Sequence, residues 1–298
     1  MEKILQELRT LNALMQRIAD RYAVRIDPSV LDSCVSFAAR NVSGSLLLRG
    51  IGSPDPVRFA ELRGIDRIIR AVRQNTEQFL EGLPCNNALL YGPRGTGKSS
   101  VVKALLNAYR ARGLRMIEMP QETLLFIEEV AEIVRTRSER YIVFCDDLSF
   151  GADETVFRRL KSVLEGGLEA RPRNMLIYAT SNRRHLLSEK ASDNVPVIVN
   201  NELHPADTLE ENLSLSDRFG LRLGFNLFGP AEYLDIVRHS AAVRGLTAAA
   251  GSLDDEAMRW AADHGSFSGR TARQFVDQTE GRLRASGAKR RRSRRGKA

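Results

Sequence analysis

LLYGPRGTGKSSVV, residues 89–102, sets three glycines and a proline between two apolar runs. Residues of these types normally end regular structure. Here Gly92 to Ser99 fit the spacing G-x-x-x-x-G-K-[ST], with a predicted strand before and a predicted helix after. A phosphate chain needs many donors converging on it from the backbone. Gly92, Gly95 and Gly97 permit positive-φ turns and a close approach that side chains would block. The loop, which also holds Pro93, Arg94 and Thr96, then presents its N–H groups as an anion-binding nest. The start of the following helix, through Ser100, backs the nest with its partial positive charge. Lys98 adds a mobile charge for β- and γ-phosphates, and the Ser99 hydroxyl is a Mg²⁺ ligand.

Outward from this loop, short apolar runs alternate with helical patterns. A helix is predicted from Ile65 to Leu80, then the strand NALLYG, a helix from Lys98 to about Arg110, and the strand RMIEMP. A helix near 122–136, the strand YIVFCDD, a helix near 153–168 and the strands NMLIYATSN and LRLGFNLF follow. That alternation predicts an α/β fold, a parallel sheet of about five strands covered on both faces. From Pro230 to about Ala285 only helical patterns remain, which predicts a small helical lid domain.

On the N-terminal side, Ile4, Leu8, Leu11, Met15, Ile18 and Tyr22 form a narrow apolar seam on a predicted helix over 1–24. A second helix is predicted to open at Asp27-Pro28 and end near Arg40, and GSLLLRGIGSPDPVRF, residues 44–59, reads as a linker. The predicted domains are a helical extension and linker over 1–57, a nucleotide-binding domain over 58–228, the lid over 229–285 and a disordered basic tail over 286–298.

A second strand ends in acid. YIVFCDDL delivers Asp146 and Asp147 to the C-terminal edge of the sheet, where ligands bind in open α/β folds. Adjacent carboxylates at a buried edge are costly unless a cation is present. Asp146 is the natural Mg²⁺ partner, and Asp147 is placed to orient or deprotonate water. A strand-end turn or helix cap is the alternative reading of the pair.

With these elements in order, the chain resembles AAA+ P-loop ATPases, and more narrowly a bacterial family of predicted AAA+ ATPases of unknown function. The stretches that carry the resemblance are FLEGLPCNNALLYGPRGTGKSSVVKALL, DDLSF, ATSNRRHLL, LSDRFGL and SGRTARQF. The resemblance implies ATP with Mg²⁺ as cofactors and an ATP-hydrolysing homo-oligomer, a ring with a hexamer among its possible sizes. It further implies a macromolecular client that it does not identify. Asn182 resembles the sensor that positions attacking water; a strand-ending Asn is the alternative. Arg218 resembles the arginine finger that completes a neighbour's site; a local pair with Asp217 is the alternative, and Arg222 the reserve candidate. Arg270 resembles the lid arginine that reaches the nucleotide, with Arg273 on the same helix face. Leu62, Gly64 and Ile65 resemble the segment around adenine. Many such enzymes carry Asp-Glu where this chain has Asp146-Asp147; aspartate reaches about 1.5 Å less, so slow turnover is expected. The stretch 190–214 is long for a connection and is expected to be functional or disordered.

Composition adds bounds. The 298 residues carry a net charge of +8, but the last ten, KRRRSRRGKA, hold seven cations and no acid, so the remainder is nearly neutral. Such a run is suited to nucleic acid or to a solvated terminus. No apolar run approaches the roughly 18 residues a membrane span needs. Cys34, Cys85 and Cys145 lie far apart and the four histidines lack metal-ligand spacing, so neither a disulfide framework nor a zinc site is indicated. The reading is a cytoplasmic protein. A nucleotide-dependent binding switch with negligible turnover and a nucleic-acid-associated ATPase are its competitors; a small-molecule P-loop kinase fits the lid and finger patterns less well.

Overall fold

The structure, a computed structural model, describes residues 6, 7, 10, 29–148, 154–165, 171–182, 197–199, 202–204, 215–246 and 250–295. Its centre is a seven-stranded sheet. In chain order the strands are β1 (Ser36–Val42), β2 (Ser45–Gly50), β3 (Ala88–Tyr91), β4 (Leu114–Glu118), β5 (Arg140–Cys145), β6 (Met175–Ser181) and β9 (Leu221–Gly224). A separate two-stranded ladder pairs β7 (Val197–Val199) with β8 (Glu202–His204), within the long stretch 190–214. In space the sheet runs β2-β1-β4-β5-β6-β3-β9, and every pairing is parallel except β1 with β2.

The period-2 geometry of the strands sorts the core into two layers. Leu89, Tyr141, Val143, Cys145, Met175, Ile177 and Ala179 point to one face. There they meet α3 (Ile127–Arg135) and α4 (Glu154–Glu165). Leu90, Ile142, Phe144, Leu176 and Tyr178 point to the other, against α1 (Asp66–Leu80) and α2 (Lys98–Tyr109). Helix α1 buries Ile69, Val72, Thr76 and Phe79, a three-to-four-residue spacing that gives one apolar stripe. A polar network pins it. Asn75 donates to Asn86 O and Tyr178 Oη, each at 2.8 Å, and Thr76 lies 2.9 Å from the same Tyr178 hydroxyl.

The five parallel strands expected from the alternating pattern are present as β4-β5-β6-β3-β9. Two more come from a segment read as helix and linker. Residues 36–50 form a hairpin rather than a helix ending near Arg40, and the sheet therefore begins well before residue 58. The turn explains it. Val42 faces Ser45 across Ser43 and Gly44, which have φ of 54° and 81°, a two-residue connection whose twist suits a hairpin. Phe37, Ala39, Leu46 and Leu48 then all face the core, and their burial outweighs the helix propensity of the Ala-Ala-Arg run.

The helical C-terminal part is α5 (Pro230–Val243), α6 (Ala250–Asp263) and α7 (Gly269–Arg295). Tyr233, Val237, Ala257, Ala261, Ala272 and Val276 form its own core. Helix α7 runs to Arg295, so residues 286–295 are helical where a disordered tail was expected. Ala288, Lys289 and the arginines that follow favour helix, and no proline interrupts them. The expected apolar seam at 1–24 lies almost wholly outside the described residues. Among the described residues no helix is long and apolar enough to cross a membrane.

Candidate functional site

The loop between β3 and α2 opens into a cleft of about 620 Å³ between the sheet's C-terminal edge and the lid. Two glycines are forced by what lies against them. Gly92 has φ 139°, and a Cβ there would sit 2.3 Å from the carbonyl oxygen of Phe225, which continues β9 alongside β3. Gly95 has φ 76°, and a Cβ there would lie 2.8 Å from Ser268 Oγ in the lid. The lid is fastened at the same point, because Gly269 N–H donates to Gly95 O at 2.9 Å. Arg63 Nε donates to Asp235 Oδ2 at 3.1 Å and ties α5 to the sheet domain.

Lys98 is buried, only 6% exposed. Its ammonium donates to Gly92 O at 2.8 Å, Pro93 O at 2.7 Å and Asn182 Oδ1 at 3.0 Å, which uses all three donors. Burial holds its pKa below the usual lysine value; Asp147 and Asp146 pull it back up, while Arg270 and Arg94 push it further down. Ser99 Oγ–H donates to Asp146 Oδ1 at 2.6 Å, across from α2 to the end of β5. Thr180 on β6 donates to the same oxygen at 2.5 Å and accepts the Asp147 N–H at 2.8 Å. Asp147 adopts a left-handed backbone, φ 53°, which Asp tolerates better than most residues. Its Oδ1 accepts from Asn182 Nδ2, and its Oδ2 lies 3.7 Å from Arg94. Behind them burial pushes the Cys145 thiol up to about 12, so it stays protonated and unreactive.

The structure brings most of the predicted residues together. Arg94, Gly95, Thr96, Gly97, Lys98, Ser99 and Ser100 line the cleft, as do Asp146, Asp147, Asn182, Arg270 and Arg273. Gly92 and Pro93 do not line it; they hold Lys98 through their carbonyls. Leu62 and Ile65 line it too. Arg218 lies just after the buried Leu215 and Ser216 and is not among the lining residues. Arg222, the reserve candidate, pairs with Asp217, its guanidinium donating to that carboxylate at 2.6 Å. Sequence reading missed Thr180. Its signal was a hydroxyl near the end of a mostly apolar strand, and only the pairing of β5 with β6 shows what it touches. It also missed Ile236 and Ser240, which α5 contributes to the cleft.

A fit to a triphosphate with Mg²⁺ follows from these contacts. Two hydroxyls and one carboxylate converge beside an inward-facing lysine, next to a loop whose glycines admit no side chain. Mg²⁺ is bound through one or two protein oxygens plus phosphate oxygens rather than by a protein cage, and among the described residues no cluster of three His, Cys, Asp or Glu forms such a cage.

The family described as "Protein of unknown function (DUF815)" matches residues 32–283. The chain belongs to that family. The DUF815 chain is 34% identical over 130 residues to proteasome-activating nucleotidase 2 of Haloferax volcanii, covering 38% of this chain and 30% of that protein. It is 34% identical over 82 residues to the replication factor C large subunit of Staphylothermus marinus, 27% of this chain and 19% of that one. It thus spans a third or less of these curated relatives' length. Among solved structures it is similar to the Thermotoga maritima RuvB Holliday junction branch migration motor, with TM-score 0.51, 16% identity, and coverage of 78% of this chain and 67% of that one. A RuvB mutant gives TM-score 0.55 at the same identity and coverage. At that identity the likeness is one of fold. By fold the DUF815 chain is of the AAA+ P-loop type, an α/β sheet domain followed by helices.

Proposed function

We propose that this chain binds ATP with Mg²⁺ in the cleft and hydrolyses it slowly as a cytoplasmic oligomer, a ring in which nucleotide state drives binding or remodelling of a macromolecular client. The observation that carries the reading is the 2.6 Å contact between Ser99 and Asp146. It sets a phosphate-loop hydroxyl and a strand-end carboxylate on one point, the pair that a Mg²⁺–triphosphate complex requires. The names of the nucleotidase and motor relatives support nucleotide-driven work.

In this reading the N–H groups over Gly92–Ser99 cradle the phosphates, and Lys98 turns its charge toward them. Ser99 and Asp146 would hold Mg²⁺, which supplies charge neutralisation at the β- and γ-oxygens when bound. Asp147 accepts a proton from water that Asn182 orients, and the two side chains already share a hydrogen bond. Arg270 and Arg273 bring lid charge to the cleft. Arg218, outside its own cleft, serves a neighbour's. The unit that does this takes in the sheet domain with its N-terminal hairpin and the lid from about residue 229.

The test is ATP turnover per subunit across protein concentration. It should rise as subunits assemble. Lys98→Ala should abolish ATP binding. Arg218→Ala should leave assembly intact and lower turnover by about 10³-fold or more, whereas Arg222→Ala, which breaks only an exposed pair, should change it little. Turnover that is flat with concentration and unaffected by Arg218→Ala removes the shared-site reading. ATP binding without turnover would establish a binding switch instead. The basic run at 289–297 supports a second reading, nucleic-acid association. Salt-sensitive DNA binding that is lost on deleting residues 287–298 is its signature.

A further inference from the structure

We propose that Arg94 is the residue by which this cleft distinguishes a nucleoside triphosphate from a diphosphate: it holds Asp147 in the resting site and exchanges it for the γ-phosphate when a triphosphate binds. The proposal rests on the nucleotide reading above and assigns a task within it. Its basis is a chain of contacts through four side chains. Lys98 donates to Asn182 Oδ1 at 3.0 Å, Asn182 donates through Nδ2 to Asp147 Oδ1, and Asp147 Oδ2 lies 3.7 Å from Arg94. The chain of contacts begins and ends at the phosphate-binding motif, because Lys98 opens α2 and Arg94 lies in the loop just before it.

Both carboxylate oxygens of Asp147 are therefore committed, one to an amide and one to a cation. The two restraints differ in strength. The Asn182 contact is a hydrogen bond at the end of β6, whereas the Arg94–Asp147 pair has side chains 74% and 56% exposed. An exposed ion pair at that separation is weak and readily exchanged. A planar guanidinium binds phosphate oxygens bidentately and with more charge to meet, so Arg94 prefers a terminal phosphate to Asp147. Lys98 turns the same way and gives up its hold on Asn182. Both ends of the chain of contacts open together, and Asp147 is released when the terminal phosphate is in place. With a diphosphate, Arg94 has no terminal phosphate beside Asp147 to bind and stays on the carboxylate. The device keeps the base engaged until a hydrolysable ligand is bound, and it draws on a residue of the phosphate loop itself, whereas the finger Arg218 comes from a neighbour.

The experiment measures affinities of the full chain for ADP and for a non-hydrolysable ATP analogue, both with Mg²⁺, in the wild type, Arg94→Ala and Arg94→Lys. Arg94→Ala should weaken the analogue by about ten-fold or more, the value of a charge-assisted contact, and change ADP by less than about two-fold. Arg94→Lys should restore part of the analogue's affinity. A thermal melt matching wild type shows that the variant is folded, as expected for a side chain so exposed. Equal losses for the two nucleotides, or no loss for either, would overturn the role of Arg94 while the nucleotide reading stands. A wild type that binds neither nucleotide would overturn both.

Discussion

The hydroxyl of Ser99 donates to Oδ1 of Asp146 at 2.6 Å, although 47 residues separate them in the chain. One sits at the start of α2 and the other just past the end of β5, and those strands are not neighbours, because β6 lies between β3 and β5. The contact crosses the sheet's C-terminal edge above β6, and Thr180 of that intervening strand completes it. If the pair is the Mg²⁺ site, Asp146→Ala should weaken ATP by about ten-fold or more in Mg²⁺ and much less in excess chelator. Titration calorimetry in the two buffers measures the difference. An equal effect in both would mean that Asp146 acts only on the fold.

Thr180 provides a structural test of the same corner. Thr180 is 1% exposed, and its hydroxyl serves as donor to Asp146 and acceptor for the Asp147 N–H. Thr180→Val keeps the shape and removes both bonds. The Asp147 amide then loses its partner, which costs about 1–3 kcal/mol, and the variant should unfold at correspondingly lower urea. Turnover should fall as well, since Asp147 would no longer be fixed in its left-handed conformation. A variant with unchanged stability would show that the Asp147 turn is held by something else.

Lys98 makes a prediction in pH. Burial depresses its pKa below the ordinary 10.5. Between the depressed value and 10.5 the unfolded chain carries a proton at this position that the folded chain lacks, so the lysine's contribution to stability rises with pH across that window. Nucleotide binding has the opposite sign. Phosphates favour the charged lysine, so ATP binding should take up a proton in the window and affinity should fall as pH rises through it. Calorimetry in two buffers of different ionisation enthalpy reads the proton uptake directly, and the uptake should vanish at pH values well below the window, where the lysine is already charged. Proton release on binding would contradict the assignment.

How much of this could be read without coordinates depends on the element. The phosphate loop was legible because its glycines, lysine and serine are consecutive, and local spacing alone fixes their geometry. Asp146 was legible as the acid at a strand end on the ligand edge, Asn182 and Arg270 only through the resemblance to AAA+ ATPases, and all three line the cleft. The hairpin at 36–50 was not, because its signal is a pairing between two runs, one of which has helical composition. Arg222 and Arg218 could not be separated either. Both lie within reach of Asp217 along the chain, and only the structure shows that Arg222, on β9, reaches it.

By itself the sequence determined an α/β sheet with a loop built for phosphate and a helical segment to follow, because strand and helix periodicity and glycine's freedom at positive φ are local properties of the chain. The tertiary structure alone decided that Thr180 joins Asp146, that Gly95 must be bare because Ser268 of the lid lies against it, and that Arg94, Asp147, Asn182 and Lys98 form one chain of contacts. These are contacts between residues far apart in the chain, fixed by strand order and by the docking of the lid rather than by any run of neighbouring residues.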